Sequence, residues 1–188
     1  MHKLIIGAPF GNYISIPGVT STLGTYTLRK RAGLIKRLWK IISTIKYYPR
    51  SQSWINKLGL PNPGIYTLHP EDVQEKILNI HGFTQFDWIE LFNVVKELNP
   101  PTVELNFSCP NVTKTIVQEA TWVANNIKCS AYLPNVIAKL PPIRWMDFVT
   151  PLKENGIKHF HLCNTIPTPG GGLSGKVLKP YSLWAVQE

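Results

Sequence analysis

The sequence predicts an α/β protein in which helices connect the strands of a parallel sheet. Two observations lead there. Beyond Lys76, short apolar runs alternate with segments of helical periodicity, the pattern of repeated βαβ units. In addition, 188 residues, 44% hydrophobic and 16% charged, suffice for one core of ordinary size but not for two full domains, so residues 1–188 read as a single unit.

Taken in order, residues 3–16 read as a short hairpin: Leu4-Ile5-Ile6, a turn from Gly7 to Asn12, then Tyr13 to Ile16 in alternation. Residues 34–47 read as a helix. The stretch from Asn56 to Gly64 holds Gly59, Pro61, Pro63 and Gly64, and no regular element tolerates that combination, so it reads as a shaped loop. Ile77 to Ile80 then reads as strand, Phe86 to Leu98 as helix, Val103 to Phe107 as strand and Lys114 to Lys128 as helix. Val136 to Lys139 is the next strand. Met146 to Glu154 follows as helix, either continuous or restarting at Thr150-Pro151. His159 to Cys163 is a further strand, leading into a glycine-rich loop and a last helix from Tyr181.

The formal net charge is +9, unevenly placed: residues 1–70 hold ten Lys and Arg and no acid, the remainder ten basic and eleven acidic residues. Eight cations lie between Arg29 and Arg50, interleaved with Leu34, Ile35, Leu38, Trp39, Ile41, Ile42 and Ile45, as in a basic amphipathic helix. Such a helix either buries one stripe on its own domain, lies on an anionic membrane surface, or meets a nucleic-acid backbone. Nothing else in the chain resembles nucleic-acid recognition, so no nucleic-acid partner is expected. No apolar run reaches the roughly 18 residues of a membrane span, and no cleavable leader is evident. Three cysteines, Cys109, Cys129 and Cys163, are odd in number and include no CxxC pair, which argues for free thiols in a reducing, cytoplasmic setting.

Helix-strand alternation alone does not separate an open doubly wound sheet from a (β/α)8 barrel. The strand ends favour the barrel. Three strands finish in polar or reactive residues: Asn106-Phe107-Ser108-Cys109-Pro110-Asn111, Lys139-Leu140-Pro141-Pro142, and Asn164-Thr165 before Gly170 to Gly175. In a barrel these ends share one mouth and converge on one ligand. Asn106 and Asn111 offer uncharged donors and acceptors to a flat ring bearing alternating C=O and N–H groups, such as a pyrimidine or a flavin. Lys139 at a strand end is an expensive cation unless an electron-rich partner faces it, or unless it snorkels at the sheet rim. Cys109 is a general-base candidate if its surroundings favour the thiolate, and otherwise ordinary packing. The glycines from 170 to 175 permit close approach of a phosphate or ring. His159 and His161 share a strand face without a third ligand and read as structural.

At these residues the chain resembles the dihydroorotate dehydrogenase family. Thr27-Leu28-Arg29-Lys30-Arg31-Ala32-Gly33 is similar to the family's segment after an early strand, and Asn56 to Gly64 to its substrate loop. Glu104-Leu105-Asn106-Phe107-Ser108-Cys109-Pro110-Asn111-Val112 resembles the catalytic loop, followed by Ala138-Lys139-Leu140-Pro141-Pro142 and by Asn164-Thr165 with Gly171 to Gly175. The resemblance implies a (β/α)8 barrel, FMN as cofactor, dihydroorotate and orotate as ligands, and a place in pyrimidine biosynthesis. It implies Cys109 as the base and hence the soluble class, with fumarate or an NAD-linked partner as acceptor. It implies Asn56, Leu58, Gly59, Leu60, Asn106, Asn111, Asn164 and Thr165 around the substrate, and Asn106, Lys139 and Gly175 around FMN. Gly24 stands where family members often carry lysine. The resemblance also implies two further strands after Glu188, so about six strand-helix units are expected here, with a second copy or a partner chain completing the barrel. The alternative is a catalytically inactive relative that only binds a nucleotide-like ligand.

Overall fold

The computed structural model describes residues 4–8, 10–31, 33–108, 117–129, 135–162 and 164–187, without the side chains of residues 34–37 and 128–129. In chain order the elements are β1 (Ile5–Ile6), β2 (Thr20–Tyr26), α1 (Leu34–Thr44), β3 (Lys46–Tyr48), β4 (Ser53–Asn56), α2 (Pro70–Val73), β5 (Ile77–Ile80) and α3 (Gln85–Leu98). They continue with β6 (Thr102–Asn106), α4 (Val117–Cys129), β7 (Val136–Lys139), α5 (Met146–Glu154), β8 (His159–His161), β9 (Ile166–Thr168), β10 (Gly171–Gly175) and α6 (Lys179–Gln187).

Six strands form one sheet in the order β1-β2-β5-β6-β7-β8, every pair parallel. Sequence order and spatial order agree, and from β5 to β8 each connection carries the helix that a (β/α)8 wall requires. The architecture is an incomplete barrel of this type. Helix α3 shows how the sequence builds it. Thr84 caps its start by accepting the Asp87 N–H at 3.1 Å, and Asn99 ends it in the left-handed conformation. Between the caps, Trp88, Leu91, Val95 and Leu98 recur at helical spacing and are buried. They meet Leu78 and Ile80 of β5 and Val103 and Leu105 of β6 in one cluster that also takes in Ala120, Val123 and Ala124 of α4. Each such aliphatic or aromatic side chain contributes about 1.5–3 kcal/mol by leaving water. The opposite face of the same strands is polar: the register places Asn79 beside Glu104, Asn106 beside Lys139, and Lys139 beside His161.

A second sheet, β3-β4-β10-β9, is antiparallel throughout. It corrects the reading of residues 170–175 as a loop. Gly171 has φ +122°, and a Cβ there would sit 2.3 Å from the Asn56 carbonyl oxygen, so the glycine permits close strand approach. Residues 3–16 are also not a hairpin. Ile5–Ile6 pairs in parallel with Thr20–Ser21, and a 3-10 turn at Phe10–Asn12 replaces the crossover helix. Helix α1 stops at Thr44, short of the expected residue 47, because residues 46–48 pair with β4. Helix α5 is continuous through Pro151, and α6 begins at Lys179, two residues before Tyr181.

Candidate functional site

The C-terminal ends of the parallel strands open onto a cavity of about 710 Å³. Leu23 to Tyr26 at the end of β2, Asn106 at the end of β6, Lys139 at the end of β7 and Asn164-Thr165 beyond β8 line one side. Residues 58–63 line the other, with Ile41 and Ile45 from α1 and the residue following it. The structure thus brings Asn56, Leu58, Gly59, Leu60, Asn106, Lys139, Asn164 and Thr165 to a single cavity. Gly175 lies elsewhere, at the end of β10 opposite Ser53. Cys109 and Asn111 lie outside the described residues, as does Cys163.

The described start of the loop after β6 is held at Asn106 and Ser108. Asn106 Nδ2 donates to Thr25 Oγ1 at 2.9 Å, while its Oδ1 accepts from the Ser108 hydroxyl at 3.0 Å and the Ser108 N–H at 3.2 Å. Asn164 Nδ2 donates to Ser108 Oγ at 2.8 Å. Ser108, the residue before Cys109, is therefore tied to the ends of both β6 and β8. Across the cavity, Asn62 shapes the loop from inside. Its Oδ1 accepts the N–H groups of Thr27 and Gly64, and its Nδ2 donates to the Leu60 carbonyl and to Thr27 Oγ1. Gly59 and Leu60 adopt positive φ at this bend. On the third side, the Asn12 carboxamide bonds both the N–H and the carbonyl of Gly24.

Behind the cavity, Glu104 is the charge that organises the polar sheet face. It accepts from Asn79 and from His161 Nδ1, the latter at 2.7 Å, and stands 3.9 Å from Lys139 Nζ. Burial alone would raise its pKa. The bonds from His161 and Asn79 and the positive charge of Lys139 outweigh burial and hold the carboxyl below its ordinary value. Lys139, only 5% exposed, thus has a buried anion in this structure itself. His81 is the converse case. Desolvation, reinforced by the nearby Arg31 charge, lowers its pKa against the opposing pull of the Asn106 carbonyl and Asp87. The imidazole is neutral, and because a carbonyl only accepts, Nδ1 carries the hydrogen that bonds Asn106 at 2.8 Å. Among the described residues no three His, Cys, Asp or Glu side chains cluster as a metal site would require.

Sequence reasoning missed Asn12, Thr25, Asn62, Asn79, Glu104 and His161 as members of this arrangement. Two of them left a signal: a carboxylate two residues before Asn106 in an otherwise apolar strand, and an asparagine inside Ile77-Leu78-Asn79-Ile80, are costly without partners.

No family model matches the chain. Individual proteins do. It is 27% identical to the dihydroorotate dehydrogenase B (NAD(+)) catalytic subunit of Bacteroides thetaiotaomicron over 213 residues, covering 94% of this chain and 66% of that protein. The protein of the same description from Thermotoga petrophila is 33% identical over 155 residues, covering 71% of this chain and 57% of that one. The chain is a relative of the dihydroorotate dehydrogenases. It spans just under two thirds of the length of the Bacteroides relative. A ligand-free dihydroorotate dehydrogenase from Eimeria tenella superposes with a TM-score of 0.68 at 19% identity, over 88% of this chain and 60% of that one, and so shares the fold. No helix among the described residues is long and apolar enough to cross a membrane.

Proposed function

We propose that the cavity is the site of an FMN-dependent oxidation of dihydroorotate to orotate. The observation that carries this reading is the convergence of Asn56, Asn106, Lys139, Asn164 and Thr165, far apart in sequence, on one cavity at the C-terminal strand ends. Orotate presents alternating carbonyl and N–H groups and a carboxylate, and the three asparagines and Thr165 supply matching uncharged donors and acceptors; the resemblance alone adds Asn111, which is outside the described residues. Leu58, Gly59 and Leu60 form the wall that keeps water from the ring.

The residues present fit a flavin ring: a buried cation, Lys139, and the Asn106 amide lie side by side where β7 and β6 pair. When bound, FMN supplies the acceptor for the hydride that leaves C6 of dihydroorotate. Lys139 and Asn106 would hold the ring, and Gly175 would belong to the cofactor side by resemblance alone. Cys109 takes the proton from C5 as its thiolate. Ser108, bonded to Asn106 and Asn164, anchors the backbone one residue before that thiol. The Bacteroides and Thermotoga relatives are NAD(+)-type catalytic subunits, and we extend both properties to this chain: a partner subunit passes the electrons onward to NAD(+).

The test is flavin uptake followed by reduction. The purified chain, alone and with added FMN, is expected to hold a bound-flavin visible spectrum that bleaches anaerobically with dihydroorotate. Cys109→Ala should slow bleaching by about 10²–10⁴-fold while orotate affinity changes little, because the base acts in the transition state. Equal loss of rate and of orotate affinity would remove Cys109 from that role. Orotate binding without any bleaching in the FMN-loaded parent would move the chain to the binding-only alternative.

A further inference from the structure

We propose that α1 and the adjoining β3–β4 hairpin form a docking surface for an anionic lipid bilayer. This goes beyond the proposed oxidation and does not rest on it. Helix α1 is seated on the protein by one side: Ile41 lines the cavity and Lys40 Nζ donates to the Leu58 carbonyl at 3.4 Å. Its other side carries Leu38, Trp39 and Ile42, exposed by 52%, 68% and 83%. At about 100° per residue these three share an arc of about 100°. An ordinary surface helix buries its apolar stripe and solvates the polar one, whereas this helix turns apolar side chains outward. Helix α1 packs against β4, whose hairpin carries exposed aromatic side chains of its own. Tyr47 and Trp54 pack with ring centroids 4.5 Å apart and planes tilted by 38°, and both stay exposed, as does Tyr48.

The chemistry of the patch selects its occupant. Aliphatic Leu38 and Ile42 flanked by Tyr and Trp match the sequence of environments in a bilayer surface, acyl chains first and headgroups beside them. Residues 29–57 contain nine Lys and Arg and no Asp or Glu, and Arg29, Lys30, Lys46 and Arg50 are exposed. A second copy would bring the same positive charge to the contact and be repelled. Single-stranded RNA would stack on the aromatic rings but gains nothing from Ile42 and Leu38. Anionic headgroups satisfy the cations and the acyl boundary takes the aliphatic side chains, so one surface accounts for both features.

Flotation of the full chain with vesicles, without added FMN, tests this independently of any flavin chemistry. Vesicles of phosphatidylcholine mixed with phosphatidylglycerol should carry the protein, with binding at least about tenfold weaker to phosphatidylcholine alone. Trp39→Asp combined with Ile42→Asp should weaken binding by about tenfold or more, and Lys46→Glu with Arg50→Glu by a comparable factor. All four residues are exposed, and an unchanged circular dichroism spectrum and melting temperature confirm that the variants fold. No flotation with the mixed vesicles would overturn the proposal. So would binding indifferent to the Trp39 and Ile42 changes, or displacement of the protein from vesicles by single-stranded RNA at lower concentration than by soluble lipid headgroups.

Discussion

Replacing Glu104 with glutamine preserves side-chain volume and removes one charge from the buried polar face. Glu104 and Lys139 are 2% and 5% exposed, so water screens neither. Removing one partner of a buried pair costs about 3–5 kcal/mol, and the glutamine oxygen retains part of the hydrogen bonding, so a loss of about 3 kcal/mol is expected. With a urea slope of about 2 kcal/mol per molar, the unfolding midpoint should fall by about 1.5 M. Glu104→Gln with Lys139→Met removes both charges, and the double variant should recover at least about 1.5 kcal/mol relative to the sum of the singles. The pH dependence has a definite sign. Because the folded-state pKa is lowered, the carboxylate stabilises fully above the ordinary value of about 4.3, and this contribution fades as pH falls through the lowered one. The gap between parent and Glu104→Gln should therefore close in acid. A single-variant loss below about 1 kcal/mol, or strictly additive effects in the cycle, would refute the assignment of Glu104 as the counter-charge of this face.

Three further outcomes are expected. Asn62→Ala removes a buried carboxamide that serves two N–H groups and the Leu60 carbonyl, so stability should drop by about 2–3 kcal/mol and protease nicking within residues 57–61 should rise. Gly24→Ala places a Cβ 2.4 Å from the Asn79 carbonyl oxygen at φ +110°, and a clear fall in melting temperature is expected, where an unchanged one would contradict the bulge in β2. His81 has a lowered folded-state pKa, so its neutral form stabilises fully above about pH 6.5 and that contribution shrinks as pH falls below it. His81→Asn should flatten the change in urea midpoint between about pH 7 and about pH 5.

The parallel sheet was legible where apolar runs stand between clear helix signals. Ile77 to Ile80, Val103 to Leu105 and Val136 to Ala138 announce buried strands, and the periodicity from Phe86 to Leu98 announces α3, whose cap at Thr84 the structure adds. Strand β2 was harder: Thr20-Ser21-Thr22-Leu23-Gly24-Thr25-Tyr26 has one aliphatic side chain, and its strand character comes from pairing with β1 and β5 on either side. Tyr13 to Ile16 misled for the opposite reason. Their alternation suits a strand, but among the described residues no strand pairs with them, and the Ile14 carbonyl instead accepts the Ser21 hydroxyl. Glycines concealed β10, whose composition suits a loop while its backbone pairs on both edges. At the site, residues on strand ends were recoverable from sequence because barrel geometry brings those ends together. Asn12 and Asn62 were not, because each acts on backbone groups that only the folded chain brings within reach.

The small antiparallel sheet has a consequence for the order of assembly. Asn56 and Gly172, paired across 116 positions, join a segment early in the chain to one near its end. Each βαβ unit between them closes over a short separation, whereas this junction closes over 116 positions at a larger loop-closure cost and so follows those units during folding. During synthesis, the wall formed by residues 58–63 waits for residues 171–175 before its neighbouring strand is paired on both sides.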